Sequence, residues 1–133
     1  MSRSLENLQV LLVEDEPDMV DLLSWILEDA RCHVRIAYSA EEALTLLKDY
    51  QPDVLVCNIK LPNQNGKWLI QQIRASSQPH LPAIAVSSYE REVTQQSVFD
   101  AGFQHFLGKP FTPDELTEAI LRLVKSNSSR LPS

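Results

Sequence analysis

Val54-Leu55-Val56-Cys57-Asn58 is the stretch that decides the fold. Its apolar run reads as a buried strand, covered on both faces, and it delivers Asn58 to the carboxyl end of that strand. In open parallel sheets this is the edge that carries the chemistry. An acidic pair, Glu14-Asp15, follows an earlier apolar run in the same way, and Lys109-Pro110 follows a later one. Three polar groups are thus expected at one sheet edge.

Outward from that strand the chain alternates. Leu8 to Val13 and Cys32 to Ala37 read as strands, joined by a helix over Pro17 to Ala30 with Met19, Leu22, Leu23, Ile26 and Leu27 at helical spacing. Ser39 stands three residues before Glu42, a capping-box pattern, and opens a helix with Ala40, Ala43, Leu44 and Leu47 on one face. Asp49-Tyr50-Gln51-Pro52 ends it. Beyond Asn58 comes a turn-rich loop, Pro62-Asn63-Gln64-Asn65-Gly66, and a helix with Leu69, Ile70 and Ile73 inward, which Gln78-Pro79-His80-Leu81-Pro82 breaks. Ala83 to Val86 reads as a fourth strand and leads through Ser87-Ser88 into a weaker helix from about Glu90 to Ala101, with Val93, Val98, Phe99 and Ala101 as its apolar positions. Gln104 to Leu107 is a short fifth strand. Thr112-Pro113-Asp114-Glu115 caps a last helix with Leu116, Ala119, Ile120, Leu123 and Val124 inward.

Strands that are apolar on both faces and alternate with helices specify a parallel sheet covered on both sides. Right-handed crossovers then leave few topologies. The expected fold is α/β, a flavodoxin-like (βα)5 three-layer sandwich with a parallel five-stranded sheet in the order 2-1-3-4-5. Residues 1–125 are expected to form one domain, and 126–133 a polar C-terminal tail or linker. The loops after strands one, three, four and five converge, bringing Glu14-Asp15, Asn58, Ser87 and Lys109 together.

The 133 residues suit one domain without disulfide staples. A net charge of −6 argues for a soluble protein and against a nucleic-acid footprint, which needs clustered Lys and Arg. Cys32 and Cys57 lack metal-like spacing and read as buried free thiols, which points to a reducing cytoplasm. Neither a secretory segment nor an apolar run of membrane-spanning length is visible, so no membrane contact is expected. His33, His80 and His105 lie on separate segments and form neither a ligand cluster nor a triad with Ser87 or Cys57. Trp25 and Trp68 fall beside apolar neighbours at helical spacing and read as packing.

Five motifs in order now carry a resemblance. Leu-Val-Glu-Asp-Glu (12 to 16), Pro-Asp-Val-Leu-Val (52 to 56), Leu-Pro-Asn-Gln-Asn-Gly (61 to 66), Ile-Ala-Val-Ser (84 to 87) and Phe-Leu-Gly-Lys-Pro-Phe (106 to 111) together resemble the receiver domain of two-component response regulators and hybrid histidine kinases. The resemblance spans nearly all of Leu8 to Val124. It implies a phosphorelay module rather than an enzyme, whose partners are a histidine kinase or phosphotransfer protein, or an output domain. Nothing in the residues fixes an oligomeric state.

By the same resemblance Glu14 and Asp15 are carboxylates for Mg²⁺, with the carbonyl of Lys60 and residue 58 as further oxygen ligands. Lys109 pairs with a phosphoryl oxygen, and in its absence can bridge to Asp15 or to the Asn58 carbonyl. Its bond to Pro110 is typically cis in the family. Ser87 and Phe106 form the switch, and a partner face includes Arg91, Gln95, Phe106 and residues near Phe111. An isolated acidic pair would instead read as favouring a helix N-terminus.

Asn58 is where the chain leaves the family pattern, since it aligns with the aspartate that accepts the phosphoryl group. An amide oxygen is neutral, and resonance with nitrogen weakens its lone pairs, so stable phosphorylation is not expected there. The loss of one charge weakens attraction for Mg²⁺ and relieves repulsion among the carboxylates without it. The leading expectation is a receiver-like module that works through protein contacts. A second is an ordinary receiver whose aspartate was changed to Asn58 in the laboratory. A flavodoxin-like electron carrier has the same topology, but Glu14-Asp15-Glu16-Pro17-Asp18 would repel a cofactor phosphate. A phosphohydrolase would also require the missing carboxylate nucleophile.

Overall fold

The computed structural model describes residues 5–88 and 94–129. Among the described residues ten elements alternate: β1 (Gln9–Val13), α1 (Pro17–Asp29), β2 (His33–Ala37), α2 (Ala40–Leu47), β3 (Val54–Asn58), α3 (Gly66–Arg74), β4 (Ala83–Ser88), α4 (Gln95–Ala101), β5 (His105–Lys109) and α5 (Pro113–Ser129). The five strands pair in the expected order β2-β1-β3-β4-β5. Every pairing is parallel.

Strand alternation sorts the core into two layers. Leu11, Val13, Leu55, Cys57, Ala83, Ala85 and Phe106 face α2, α3 and α4. Val10, Leu12, Val54, Val56, Ile84, Val86 and Leu107 face α1 and α5. Side chains in a strand alternate faces, so a run that is apolar at every position can only be buried on both. The edge strand β2 differs, with His33 and Arg35 exposed.

The expected caps are in place. Ser39 Oγ accepts from the Glu42 N–H at 3.0 Å, and Thr112 and Glu115 bond reciprocally at 3.1 and 2.8 Å. Asn65, expected only as part of a turn, also caps α3 by accepting from Trp68 N–H at 2.9 Å, which turns the loop after β3 directly into a helix.

Several expectations are corrected. β4 and β5 run on to Ser88 and Lys109, because ladder hydrogen bonds do not require apolar side chains: Ser87 pairs with Gly108 and Ser88 with Lys109. α4 opens at Gln95 behind a Thr94 cap in extended conformation, and the expected start at Glu90 and the apolar Val93 lie outside the described residues. Phe99 is exposed, leaving Val98 as the buried anchor of α4. α1 turns Leu22 and Trp25 to solvent, 48% and 62% exposed, so Trp25 is not a packing residue. α5 continues to Ser129 through the expected tail, since extending an existing helix costs little per residue. Residues 130–133 lie outside the described set. Among the described residues no helix is long and apolar enough to cross a membrane.

Candidate functional site

Alternation along three strands builds the site. Glu14 continues the series Val10 and Leu12, Asn58 the series Val54 and Val56, and Lys109 follows Leu107, all on the face covered by α1 and α5. Glu14 extends β1, its N–H donating to the Ala37 carbonyl at 3.1 Å. Ser87 follows Ala83 and Ala85 on the opposite face, where Ala85 pairs with Phe106. The carboxyl edge of the sheet therefore carries Glu14, Asn58 and Lys109 in one series and Ser87 with Phe106 in the other.

The centre of the site is Glu14, which is buried to 1% exposure. Its Oε2 accepts from Asn58 Nδ2 at 3.1 Å and from the Glu16 N–H at 3.1 Å. Glu16 is the N-cap of α1 and makes no side-chain cap of its own, so the buried carboxylate serves the start of that helix as well as the pocket. Glu14 Oε1 is buried without a hydrogen-bond partner among the described residues. Burial raises the pKa of Glu14 above its ordinary value; the Glu16 N–H, the charge of Lys109 and the Asn58 amide oppose this, and the charge of Asp15 adds to it.

Asn58, half-buried, also donates from Nδ2 to the Lys60 carbonyl at 2.9 Å. Both neighbours are acceptors, so the amide must turn its NH₂ side toward them. Both hydrogens are then used. The β3–α3 loop is held close by Gly66, whose N–H donates to the Ile59 carbonyl at 2.8 Å.

The remaining predicted residues take less central places. Asp15 is exposed beside Glu14 and acts on it through charge. Lys109 is half-buried and likewise acts on Glu14 through charge. The Lys109-Pro110 bond is cis, as the resemblance implied. Ser87 and Phe106 are both buried, at 4% exposure each, so Phe106 is a core residue and not part of an open partner surface. Gln95 is exposed, Phe111 half-buried, and Arg91 lies outside the described residues. The three histidines stay apart: His33 meets Asn7 at 3.2 Å and His80 is exposed, while His105 lines a cleft with Glu115, Glu118 and Arg122. Cys32 and Cys57 are free and buried; burial pushes the Cys32 thiol up to about 11 and Cys57 still higher.

A hard cation needs several oxygens aimed at one point. Glu14 Oε1 would suit it. Asn58, however, presents N–H where oxygen is required, and Glu14 Oε2 and the Lys60 carbonyl already accept from it. Among the described residues no three His, Cys, Asp or Glu side chains are grouped to hold a metal. As arranged, these residues do not fit Mg²⁺. The sequence places every one of these groups at the same edge but does not show the turn of the amide, which depends on one acceptor 44 residues away in the chain and another two residues away meeting at one side chain.

Known proteins share this arrangement of strands and helices. The family model described as response regulator receiver domain matches residues 10–121. The chain is 37% identical over 131 residues to the "Uncharacterized 14.6 kDa protein in sodA1 3'region" of Leptolyngbya boryana, covering 98% of this chain and 97% of that one. It is 27% identical over 121 residues to the transcriptional regulatory protein TrcR of Mycobacterium tuberculosis, covering 91% of this chain and 47% of the regulator. This chain thus spans about half the length of that regulator. Among solved structures, a CheY-like response regulator receiver domain protein from Methanospirillum hungatei superposes with a TM-score of 0.85 at 26% identity, covering 95% of this chain and all of that one.

Proposed function

The chain belongs to the response regulator receiver domain family of two-component signalling, and from that premise we propose that it is a receiver-like module that takes no phosphoryl group at residue 58. It acts through contacts with a histidine kinase, a phosphotransfer protein or an output domain, in the cytoplasm, without catalysing a reaction of its own. The observation that carries this reading is the identity of the side chain at the carboxyl end of β3. Asn58 occupies the edge position beside Glu14 at which the family places its acceptor carboxylate, and it brings a neutral amide.

Three features support the reading. Phosphoryl transfer needs an anionic oxygen free to attack in line, whereas the Asn58 NH₂ is bound to Glu14 and Lys60. Asp15 is exposed and so lacks the enclosed setting that a substitute acceptor would need. Ser87 and Phe106 are packed in the fold as buried groups, consistent with a module that holds one conformation for a partner to read.

The test is exposure of the protein to acetyl phosphate with Mg²⁺, followed by intact-mass measurement, with Asn58→Asp alongside. The wild type is expected to gain no phosphoryl mass and Asn58→Asp to gain one acid-stable, base-labile group. Phosphoryl uptake by the wild type on Asp15 or any other carboxylate would overturn the proposal.

A further inference from the structure

We propose that the Asn58 amide stands in for a cation, its two N–H groups holding the oxygens of Glu14 and Lys60 in place so that the pocket keeps its geometry without Mg²⁺. The inference rests on the reading of residue 58 as an acceptor position without a nucleophile, and assigns a task to the amide that replaces it.

The argument starts from donors and acceptors. An ionised carboxylate at position 58 could only accept, and would set a third anion beside Glu14 and Asp15 against the charge of Lys109. A cation is the usual remedy for oxygens crowded in this way. An amide inverts the problem, because its nitrogen carries two hydrogens that diverge at a fixed angle. Here they reach Glu14 Oε2 at 3.1 Å and the Lys60 carbonyl at 2.9 Å, both within ordinary hydrogen-bond range. One partner ends β1 and the other lies in the loop that leads to α3, so the amide ties together the two segments that a shared metal ligand would tie.

Two further contacts make the arrangement self-contained. Glu14 Oε2 takes a second N–H from Glu16, which fixes the carboxylate against the start of α1. Gly66 closes the far side of the loop, with its N–H on the Ile59 carbonyl at 2.8 Å. A cation that drew on these same two oxygens from the side of the amide would have to displace it, and the gain from coordination there would be offset by two lost hydrogen bonds, one of them to a charged group.

Thermal unfolding of the wild type, Asn58→Asp and Asn58→Ala, each in EDTA and in millimolar MgCl₂ at constant ionic strength, tests the proposal. The wild-type midpoint is expected to stay within about 1 °C, whereas Asn58→Asp starts lower in EDTA and rises by roughly 4 °C or more on adding Mg²⁺. Asn58→Ala carries the same charge as the wild type but has no donor, so it should melt lower than the wild type in EDTA and regain part of the loss with Mg²⁺. A wild type that gains as much from Mg²⁺ as Asn58→Asp, or an Asn58→Ala as stable as the wild type, would sink the idea.

If Asn58→Ala does not fold, the side-chain NH₂ signals of Asn58 in the wild type decide. Two well-separated, slowly exchanging resonances that ignore Mg²⁺ are expected, and a free-amide pair that shifts on titration would overturn the assignment. A wild type that melts higher with Mg²⁺ yet takes up no phosphoryl group would remove this inference and leave the functional one standing. Phosphoryl uptake would remove the functional one.

Discussion

A Cβ atom at position 66 would lie 2.6 Å from the carbonyl oxygen of Asn58. It would also lie 3.0 Å from Ile59 Cα and 3.2 Å from Cys57 Sγ, so two of its three neighbours are backbone and cannot rotate away. Glycine at the first position of α3 is therefore what lets the helix press against the end of β3 that carries the site. Gly66→Ala is expected to lower the unfolding free energy in urea by about 1–3 kcal/mol, the usual range for overpacking a close contact. Chemical shifts of the Asn58 side chain should move with it. A variant of unchanged stability would mean that the loop yields at no cost.

Arg74 holds the opposite end of the sheet together. Its guanidinium donates to the Gly102 carbonyl at 3.0 and 2.8 Å, to those of Pro79 and Leu81 at 3.0 and 2.8 Å, and to Gln104 Oε1 at 3.2 Å. Burial lowers its pKa from the ordinary arginine value. It joins the end of α3, the approach to β4 and the turn after α4 through main-chain carbonyls, groups that need a partner when buried. Arg74→Met should cost about 2–4 kcal/mol by leaving several of these acceptors unpaired, and Arg74→Lys should restore little, because an ammonium cannot span the same fork. Equal stability of Arg74→Lys and the wild type in chemical denaturation would contradict this account.

What was legible in the sequence follows from periodicity. The apolar runs of β1, β3 and β4 have a single solution, burial on both faces, and the period-two alternation then fixes Glu14 and Asn58 on a common side. The caps Ser39 and Thr112 needed only local spacing, whereas Asn65 reads from the sequence as a turn residue and its capping of α3 emerges only in the fold. Arg74 gave no signal, since its partners are main-chain carbonyls that any sequence supplies and only the fold assembles. The amide of Asn58 was readable as a neutral group but not as a donor with two particular acceptors. Leu22 misled because helical spacing identifies a stripe without fixing its width, and α1 buries only Val20, Leu23, Ile26 and Leu27.

His105 supplies a pH dependence of known sign. It is half-buried on β5, and burial, with the positive charge of Arg122 adding to it, lowers its pKa below the ordinary 6.5. The folded state therefore binds this proton less readily than the unfolded state. The stability it contributes is present above pH 6.5 and is lost as pH falls from there toward the lower, folded value. Urea unfolding on both sides of pH 6.5 should show the wild type losing more stability on acidification than His105→Gln, the remaining titrating groups being common to both. Parallel pH profiles would contradict a lowered His105 pKa and mean that Glu115 and Glu118, which share its cleft, offset both burial and Arg122.

Trp25 stands 62% exposed on α1, with Leu22 beside it at 48%. The hydrophobic contribution of a side chain scales with the area it removes from water, and most of this indole removes none. Trp25→Ser should accordingly cost less than about 1 kcal/mol, whereas Leu27→Ala, at a fully buried position on the same helix, should cost roughly 2–5 kcal/mol. Fluorescence offers an independent reading, because Trp68 is half-buried and Trp25 is not. Wild-type emission should be water-like and strongly quenched by iodide, and the Trp25→Ser variant should retain a bluer, less quenched signal from Trp68. Were Trp25→Ser to cost as much as Leu27→Ala, the indole would have to be packed in solution, and α1 would bury a wider stripe than its four core residues define.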